Sequence, residues 1–416
     1  MAKLTRRIGL SLGADVCWPI CYEDIVRDLD LHVTMGPDEV SVEVGRVMIE
    51  PFDLQRPASY DLVIDRLTHW FYPSREWIKK AILLDDVYVF NNPWFVQSME
   101  KQTSYCAMMR LGMPIPATWL LPPKEYEAGL PDLEPTLDRY ARLFDLDEVG
   151  ESLGFPSFMK PYDGGGWVGV TRLEDLDALR AAYEESGKSV MHVQKGVVPY
   201  DEFVRCVGVG PQVRVIKYDP DRPLHERYRP DGDFLAAGDV DHLTATTLTI
   251  NSFFGWDFNS CESLLKDGTW RPIDFANPCP DSQVTSLHYH FPWLIKAKIR
   301  WSLFCAITRR PMRINLDWQP YFDIAENDAS FEENLVEYTR IANEHFQTER
   351  FDEFCEEELT ELDEVAWNYF GEERCKQAIK KKVETLFPEH EWEEFTEHFW
   401  DLIQKWRDAD ASTTTS

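Results

Sequence analysis

Wholly apolar or alternating runs, separated by stretches of helical spacing, dominate the first quarter of the chain. Residues 7–12 read as a strand, and 22–31 as a short helix with Ile25, Leu29 and Leu31 on its apolar side. Residues 40–49 alternate as strand and turn. Residues 60–65 form an apolar strand, 75–84 are helical, and 87–90 form a further strand ending at Asn91-Asn92-Pro93. Strands alternating with helices predict a parallel sheet with crossover helices. Residues 93–111 return to helical spacing.

A break at Gly112-Met113-Pro114-Ile115-Pro116-Ala117-Thr118 leads into a predicted strand at 118–121. Residues 122–151 are Pro-rich, then helical and acidic, and read as an insertion. From Phe155 to Val170 an apolar run ends in Lys160, a triple-glycine loop follows, and Trp167-Val168-Gly169-Val170 resumes an extended pattern. That is a hairpin with a glycine turn. Residues 174–186 are helical, with Leu176, Leu179 and Tyr183 on one side, and 189–194 form a strand. A second hairpin joins 202–209 to 212–218, and a third joins 258–265 to 269–275 through Lys266-Asp267-Gly268. Residues 242–254 are ambiguous: threonine favours a strand, but an amphipathic helix also fits. Past residue 322 the pattern is helical, at 332–346, 359–370, 373–386 and 391–406, with an acidic surface. Trp367, Trp392, Trp400 and Trp406 punctuate it and would pack it on the body. The expected divisions are 1–113, 114–196, 197–320 and 321–416.

Composition narrows the class. The 416 residues suffice for several cores, and 44% hydrophobic content marks a globular chain. No apolar run reaches the ~18 residues of a membrane span. The basic start followed by Ile8 to Ala14 reads as a buried strand rather than a signal peptide. Nine scattered cysteines suggest reduced thiols and a cytoplasmic protein. The net charge of −30 argues against nucleic acid or an anionic membrane as partner.

Candidate chemistry falls in one order along the chain. Gly164, Gly165 and Gly166 would let backbone N–H groups approach an anion, and Lys160 would supply a point charge for a phosphate. Glu262 lies six residues before Gly268 and Asp274 six after, which places two carboxylates side by side on a hairpin. With Asn277 they would make a hard oxygen cage for Mg²⁺.

Over residues 60–281 this order resembles the ATP-grasp superfamily, whose relatives include D-alanine–D-alanine ligase and glutathione synthetase. The signals are strongest at 91–118, 155–194 and 254–280. The resemblance implies an α+β ATP-grasp fold, two subdomains gripping ATP, preceded by the α/β domain and followed by the acidic helices. It implies that Lys101 and Lys160 contact nucleotide phosphates beneath a lid at 163–166. It places adenine against Gln194, Lys195, Val197 and Val198, and ribose on Asp201 or Glu202. Arg205 and Lys217 would line the phosphoryl-transfer site. Glu262, Asp274 and Asn277 would hold Mg²⁺. The implied reaction joins a small-molecule carboxylate to an amine or thiol through an acyl phosphate, with release of ADP and phosphate. A phosphotransferase acting on a hydroxyl, or an ATP-binding scaffold without turnover, are the alternatives.

Two departures stand out. The family ends its metal strand in Glu-x-Asn, whereas this chain reads Asp274-Phe275-Ala276-Asn277, so a bulge must reposition one ligand. Asp257 competes with Glu262 for the first metal position. The acceptor pocket is expected near the N-terminal domain and the loops at His288, His290 and Arg313.

Overall fold

The computed structural model describes residues 2–49, 51–67, 71–95, 101–129, 131–140, 144–163 and 168–414. The first unit contains β1 (Lys3–Ser11), α1 (Cys17–Leu29), β2 (His32–Met35), β3 (Asp38–Arg46), β4 (Leu62–Asp65), α2 (Tyr72–Asp85) and β5 (Tyr88–Phe90). Its sheet runs β2-β3-β1-β4-β5, with β3, β1, β4 and β5 parallel and β2 an antiparallel edge. β4 reads Leu-Val-Ile-Asp and is buried throughout, as a parallel strand covered on both faces must be. Helix α1 begins at Cys17, earlier than residue 22. Pro19 lies in its first turn, where no intrahelical N–H is required.

The second unit contains α3 (Lys101–Arg110), β6 (Thr118–Leu121), α4 (Leu133–Tyr140), α5 (Leu146–Leu153), β7 (Ser157–Pro161), β8 (Thr171–Leu173), α6 (Leu176–Glu185) and β9 (Met191–Lys195). The sheet order is β6-β9-β7-β8, antiparallel at every step. Asp145 and Asp175 cap α5 and α6 through their side chains. Val149, Leu153 and Leu179 then bury against Met159, Leu173 and Val193 of the sheet. The returning strand of the glycine hairpin starts at Thr171. Val168 and Gly169 still belong to the turn, with Gly169 at φ +72°. Gly164, Gly165, Gly166 and Trp167 lie outside the described residues.

The third unit contains β10 (Glu202–Val209), β11 (Gln212–Lys217), α7 (Ala237–Phe254), β12 (Phe258–Lys266), β13 (Thr269–Pro278), α8 (Val284–Leu287) and α9 (Phe291–Ile307). Its antiparallel sheet runs β11-β10-β12-β13. The ambiguous threonine-rich stretch is helix α7. Thr247 and Thr249 donate their hydroxyls to the carbonyls of Leu243 and Ala245 one turn back, so their polar atoms are satisfied inside the helix. Gly255, at φ +65°, ends it. Helix α9 is buried on nearly every side and packs on β1, β4 and β10, joining the parallel sheet to the sheet β11-β10-β12-β13. Its few charged residues, Lys296, Lys298 and Arg300, form no broad polar stripe, which is why spacing alone did not reveal it.

The last unit is α10 (Gln319–Ala325), α11 (Phe331–Phe346), α12 (Thr348–Glu358), α13 (Leu362–Tyr369), α14 (Glu373–Val383) and α15 (Trp392–Thr414). A capping box of Ser330 and Glu333 opens α11. Trp406 is buried in the main core and Trp367, Trp392 and Trp400 pack against it, but the tryptophans are only part of the attachment. Phe331, Leu335 and Tyr338 share a core with Phe253, Phe254 and Trp256, while Phe346, Phe351 and Phe354 pack about Trp301 and Phe304. These helices are part of the body's own core. Among the described residues, no helix is long and apolar enough to cross a membrane.

Candidate active site

The sheet β6-β9-β7-β8 and the sheet β11-β10-β12-β13 face each other across a cavity of about 520 Å³. Its floor is set by the β12–β13 hairpin. The two-residue turn at Asp267-Gly268 has both residues at positive φ, and it pairs Lys266 with Thr269 and Ser263 with Pro272. Continued without interruption, that register would put Ile273, not Asp274, opposite Glu262. A bulge at Ile273 advances the strand by one residue, so Glu262 faces Asp274. A second extra residue separates Asp274 from Asn277, which stands opposite Ser260. The symmetry about Gly268 thus reaches the right pair, but only because of the bulge.

The bulge also frees a carbonyl. The Ile273 oxygen accepts hydrogen bonds from Tyr105 Oη (2.8 Å) and Lys160 Nζ (3.1 Å). Lys160 also donates to Gln194 Oε1 at 2.9 Å, and that amide in turn donates to Thr118 Oγ1. Burial pushes the Lys160 amine down to about 8, with Lys101 adding to the fall and Asp274 and Glu262 opposing it. Lys101 opens α3, is buried, and reaches Asp274 Oδ2 at 3.4 Å. Tyr105, four residues on, shares its helix face.

Glu262 is buried and pairs with Arg205 Nη2 at 3.2 Å, its direct cross-strand neighbour. Burial holds its carboxyl above the usual range. Arg205 opposes that shift, and Asp274 adds to it. Arg205 Nη1 donates to Tyr228 Oη at 2.6 Å. The Asn277 amide lies 3.5 Å from Asp274 Oδ1. Two facing carboxylates and an adjacent amide are a hard-oxygen set of the kind Mg²⁺ takes, with three cations close enough to offset their charge before a ligand arrives. Among the described residues, no three His, Cys, Asp or Glu side chains gather into a metal site of their own.

The register places Glu262, not Asp257, beside Asp274. Asp257 is buried elsewhere, accepting from Tyr88 Oη (2.7 Å) and Trp301 Nε1 (2.9 Å), and burial raises its carboxyl to about 6. Gln194, Lys195, Val197 and Val198 all line the cavity. Asp201 and Glu202 do not. Asp221 and Tyr200 stand at that rim instead. Lys217 is also drawn away. It pairs with Val204, one residue out of the Arg205–Ile216 pair, and alternation turns it to the opposite face of the sheet. There it meets Glu202 Oε2 at 3.4 Å and lies 5.5 Å from the Phe234 ring centre. His288 and His290 are buried away from the cavity, each pushed down to about 3 by burial, and His290 Nε2 bonds the Arg229 carbonyl at 2.8 Å. The Arg313 carbonyl accepts from the Asn92 amide.

No family model matches the chain. A segment is 35% identical over 78 residues to D-alanine–D-alanine ligase of Dechloromonas aromatica, covering 18% of this chain and 26% of that protein. Another match is 39% identical over 61 residues to D-alanine–D-alanine ligase B of Chromobacterium violaceum, covering 15% and 20%. The two facing sheets and the hairpin register agree with this local likeness. The chain has the ATP-grasp fold. The matched segments span 26% and 20% of the length of these two curated relatives. Among solved structures, D-alanine–D-alanine ligase from Bacillus anthracis complexed with ATP aligns with 74% of this chain and 99% of its own, at 16% identity and a TM-score of 0.47. An ATP-grasp RimK domain protein from Sphaerobacter thermophilus aligns with 70% and 97%, at 15% identity and a TM-score of 0.48. Likeness at that level assigns no activity.

Proposed function

We propose that the protein is an ATP-dependent ligase that joins a small-molecule carboxylate to an amine or thiol. The observation that carries this reading is the pair Glu262–Asp274, brought face to face by the Ile273 bulge at the floor of a cavity that Lys101 and Lys160 also line. Glu262, Asp274 and Asn277 are the residues that would hold Mg²⁺, and bound there it would neutralise charge on the nucleotide's phosphates. Lys160 and Lys101 bind and orient the phosphates. Gln194 fixes the Lys160 amine, and Val197, Val198 and Phe203 enclose the base in an apolar slot.

In the first step a carboxylate oxygen attacks the γ-phosphorus in line, the bond to the β-phosphate oxygen breaks, and ADP leaves. In the second, the amine attacks the acyl carbon, phosphate departs with the bonding pair, and the nitrogen loses a proton. Arg205, anchored by Glu262 and Tyr228, stands where negative charge develops in the first step. No side chain of this chain forms a covalent bond. Hydroxylamine trapping tests the reading. Incubated with Mg·ATP and a panel of amino acids and short carboxylic acids, the protein yields a hydroxamate with ADP and phosphate in equal amounts for at least one acid. ADP formation on a hydroxyl acceptor without free phosphate would make it a phosphotransferase and sink the ligase reading.

A further inference from the structure

Between β11 and α7 the chain runs through residues 219–236 without a long regular element, yet both of its faces are engaged. On the inner face Pro220 and Asp221 line the cavity, and Tyr228 is 2% exposed with its hydroxyl on Arg205 Nη1. The Tyr228 ring meets the Tyr218 ring edge-on, and the two residues form an isolated β-bridge. The Arg229 N–H donates to the Lys217 carbonyl at 2.9 Å. On the outer face the His225 ring stands among aromatic rings of the α14–α15 connection and α15. It is 5.3 Å from Phe395, 6.3 Å from Phe387 and 6.4 Å from Phe399, each edge to face. Phe387 and Phe395 stack on each other at 3.8 Å, and Phe399 is fully buried, so the slot is packed by rings on three sides.

We propose that residues 219–236 form a strap whose geometry is set from outside by the C-terminal helices, with His225 as the positioning residue and Tyr228 as the contact that delivers the effect to Arg205. The strap has two fixed points. One is the aromatic slot of the α14–α15 connection and α15, which receives His225. The other is the arginine that faces the transferred phosphoryl group. Only Glu226 and Arg227 separate His225 from Tyr228, so a shift at the first moves the second. The Tyr228 hydroxyl is the only strap group among the described residues that hydrogen-bonds Arg205. The last hundred residues therefore act on the reaction without touching a substrate.

This inference rests on the nucleotide assignment for its second half, and the test separates the two. Calorimetry measures binding of Mg·ADP and of Mg·AMP-PNP, which differ in the terminal phosphoryl group, to the full chain. Hydrogen exchange measures protection of 219–236. His225→Ala, which empties the slot, is expected to raise exchange across the strap. It should weaken Mg·AMP-PNP about fivefold more than Mg·ADP, because misplaced Arg205 matters most at the terminal phosphate. Tyr228→Phe, which removes one hydroxyl, is expected to show the same nucleotide ratio with the strap still protected. His225→Phe keeps a ring in the slot and restores both readouts. A folded His225→Ala variant with unchanged exchange and an unchanged ratio overturns the inference. So does a His225→Phe variant as impaired as His225→Ala. A parent protein that binds neither nucleotide overturns the functional reading instead, while exchange still decides whether His225 holds the strap.

Discussion

Replacing Lys160 by methionine separates what the site does for function from what it costs the fold. The Lys160 residue is 7% exposed, and its amine has two protein acceptors, Gln194 Oε1 and the Ile273 carbonyl. Burial lowers it from 10.5 to about 8, a shift worth about 3 kcal/mol against the folded state wherever the group is charged in both states. For a lysine with a depressed folded value, that penalty is complete below about pH 8 and disappears as pH rises from there to 10.5. Methionine keeps the length and removes the penalty, but leaves two acceptors unpaired at about 1 kcal/mol each. The net is a ligand-free protein more stable by about 1 kcal/mol at pH 7, or about 1–2 °C in Tm for a chain of this size, with the gain cancelled at pH ~9 and turned into a loss of about 1 kcal/mol at pH ~10. Nucleotide binding should move the other way. Loss of a charge-assisted phosphate contact worth about 1.5–3 kcal/mol weakens Mg·ATP roughly 10- to 150-fold. Melting curves at pH 7 and 10 with a parallel calorimetric titration make the check. A variant that melts lower without ligand at pH 7 and binds Mg·ATP like the parent refutes the placement of this amine.

Three other substitutions have defined outcomes. Asp274→Asn removes one of two facing carboxylates while keeping their shape, so ADP formation is abolished and the ligand-free Tm is unchanged or slightly higher, as coupled-enzyme assay and melting will show. Asp257→Asn leaves Mg·ATP binding intact. Because the buried carboxyl is raised from 3.8 to about 6, its stabilising proton is lost as pH climbs through that window, and the variant flattens the Tm-versus-pH curve between 4 and 6 by about 3 kcal/mol. Leu335→Ala, in the core shared by α11 and α7, costs about 2–4 kcal/mol by denaturant titration. An exposed C-terminal appendage would show almost no effect.

The parallel first sheet, the glycine hairpin and the two later antiparallel hairpins were legible because each depends on local alternation and turn residues. The facing pair Glu262–Asp274 was legible too. The count about Gly268 worked only because Ile273 bulges, and no spacing rule contains that bulge. What escaped depends on tertiary context. Helix α9 has only Lys296, Lys298 and Arg300 as charged residues, too narrow a polar side to leave a clear period. Thr247 and Thr249 suit a helix here because their hydroxyls bond backward. Lys217 sits next to a pair that faces the site, and one residue of register sends it to the other side of the sheet. Asp201 and Glu202 follow the hinge strand in sequence, but the cavity rim is reached by Asp221, twenty residues on, because the strap folds back. Tyr228 carries no motif at all. Only its hydroxyl on Arg205 marks it.

Tryptophan fluorescence during an ATP titration, run with saturating Mg²⁺ and again with EDTA, is the most direct test of a nucleotide cavity floored by two carboxylates. The parent should bind ATP saturably at one site with Mg²⁺ and far more weakly without it, and Asp274→Asn should lose the difference between the two conditions. Equal binding with and without Mg²⁺, unchanged in Asp274→Asn, would contradict the assignment of Glu262 and Asp274, and no binding in either condition would contradict the nucleotide site itself.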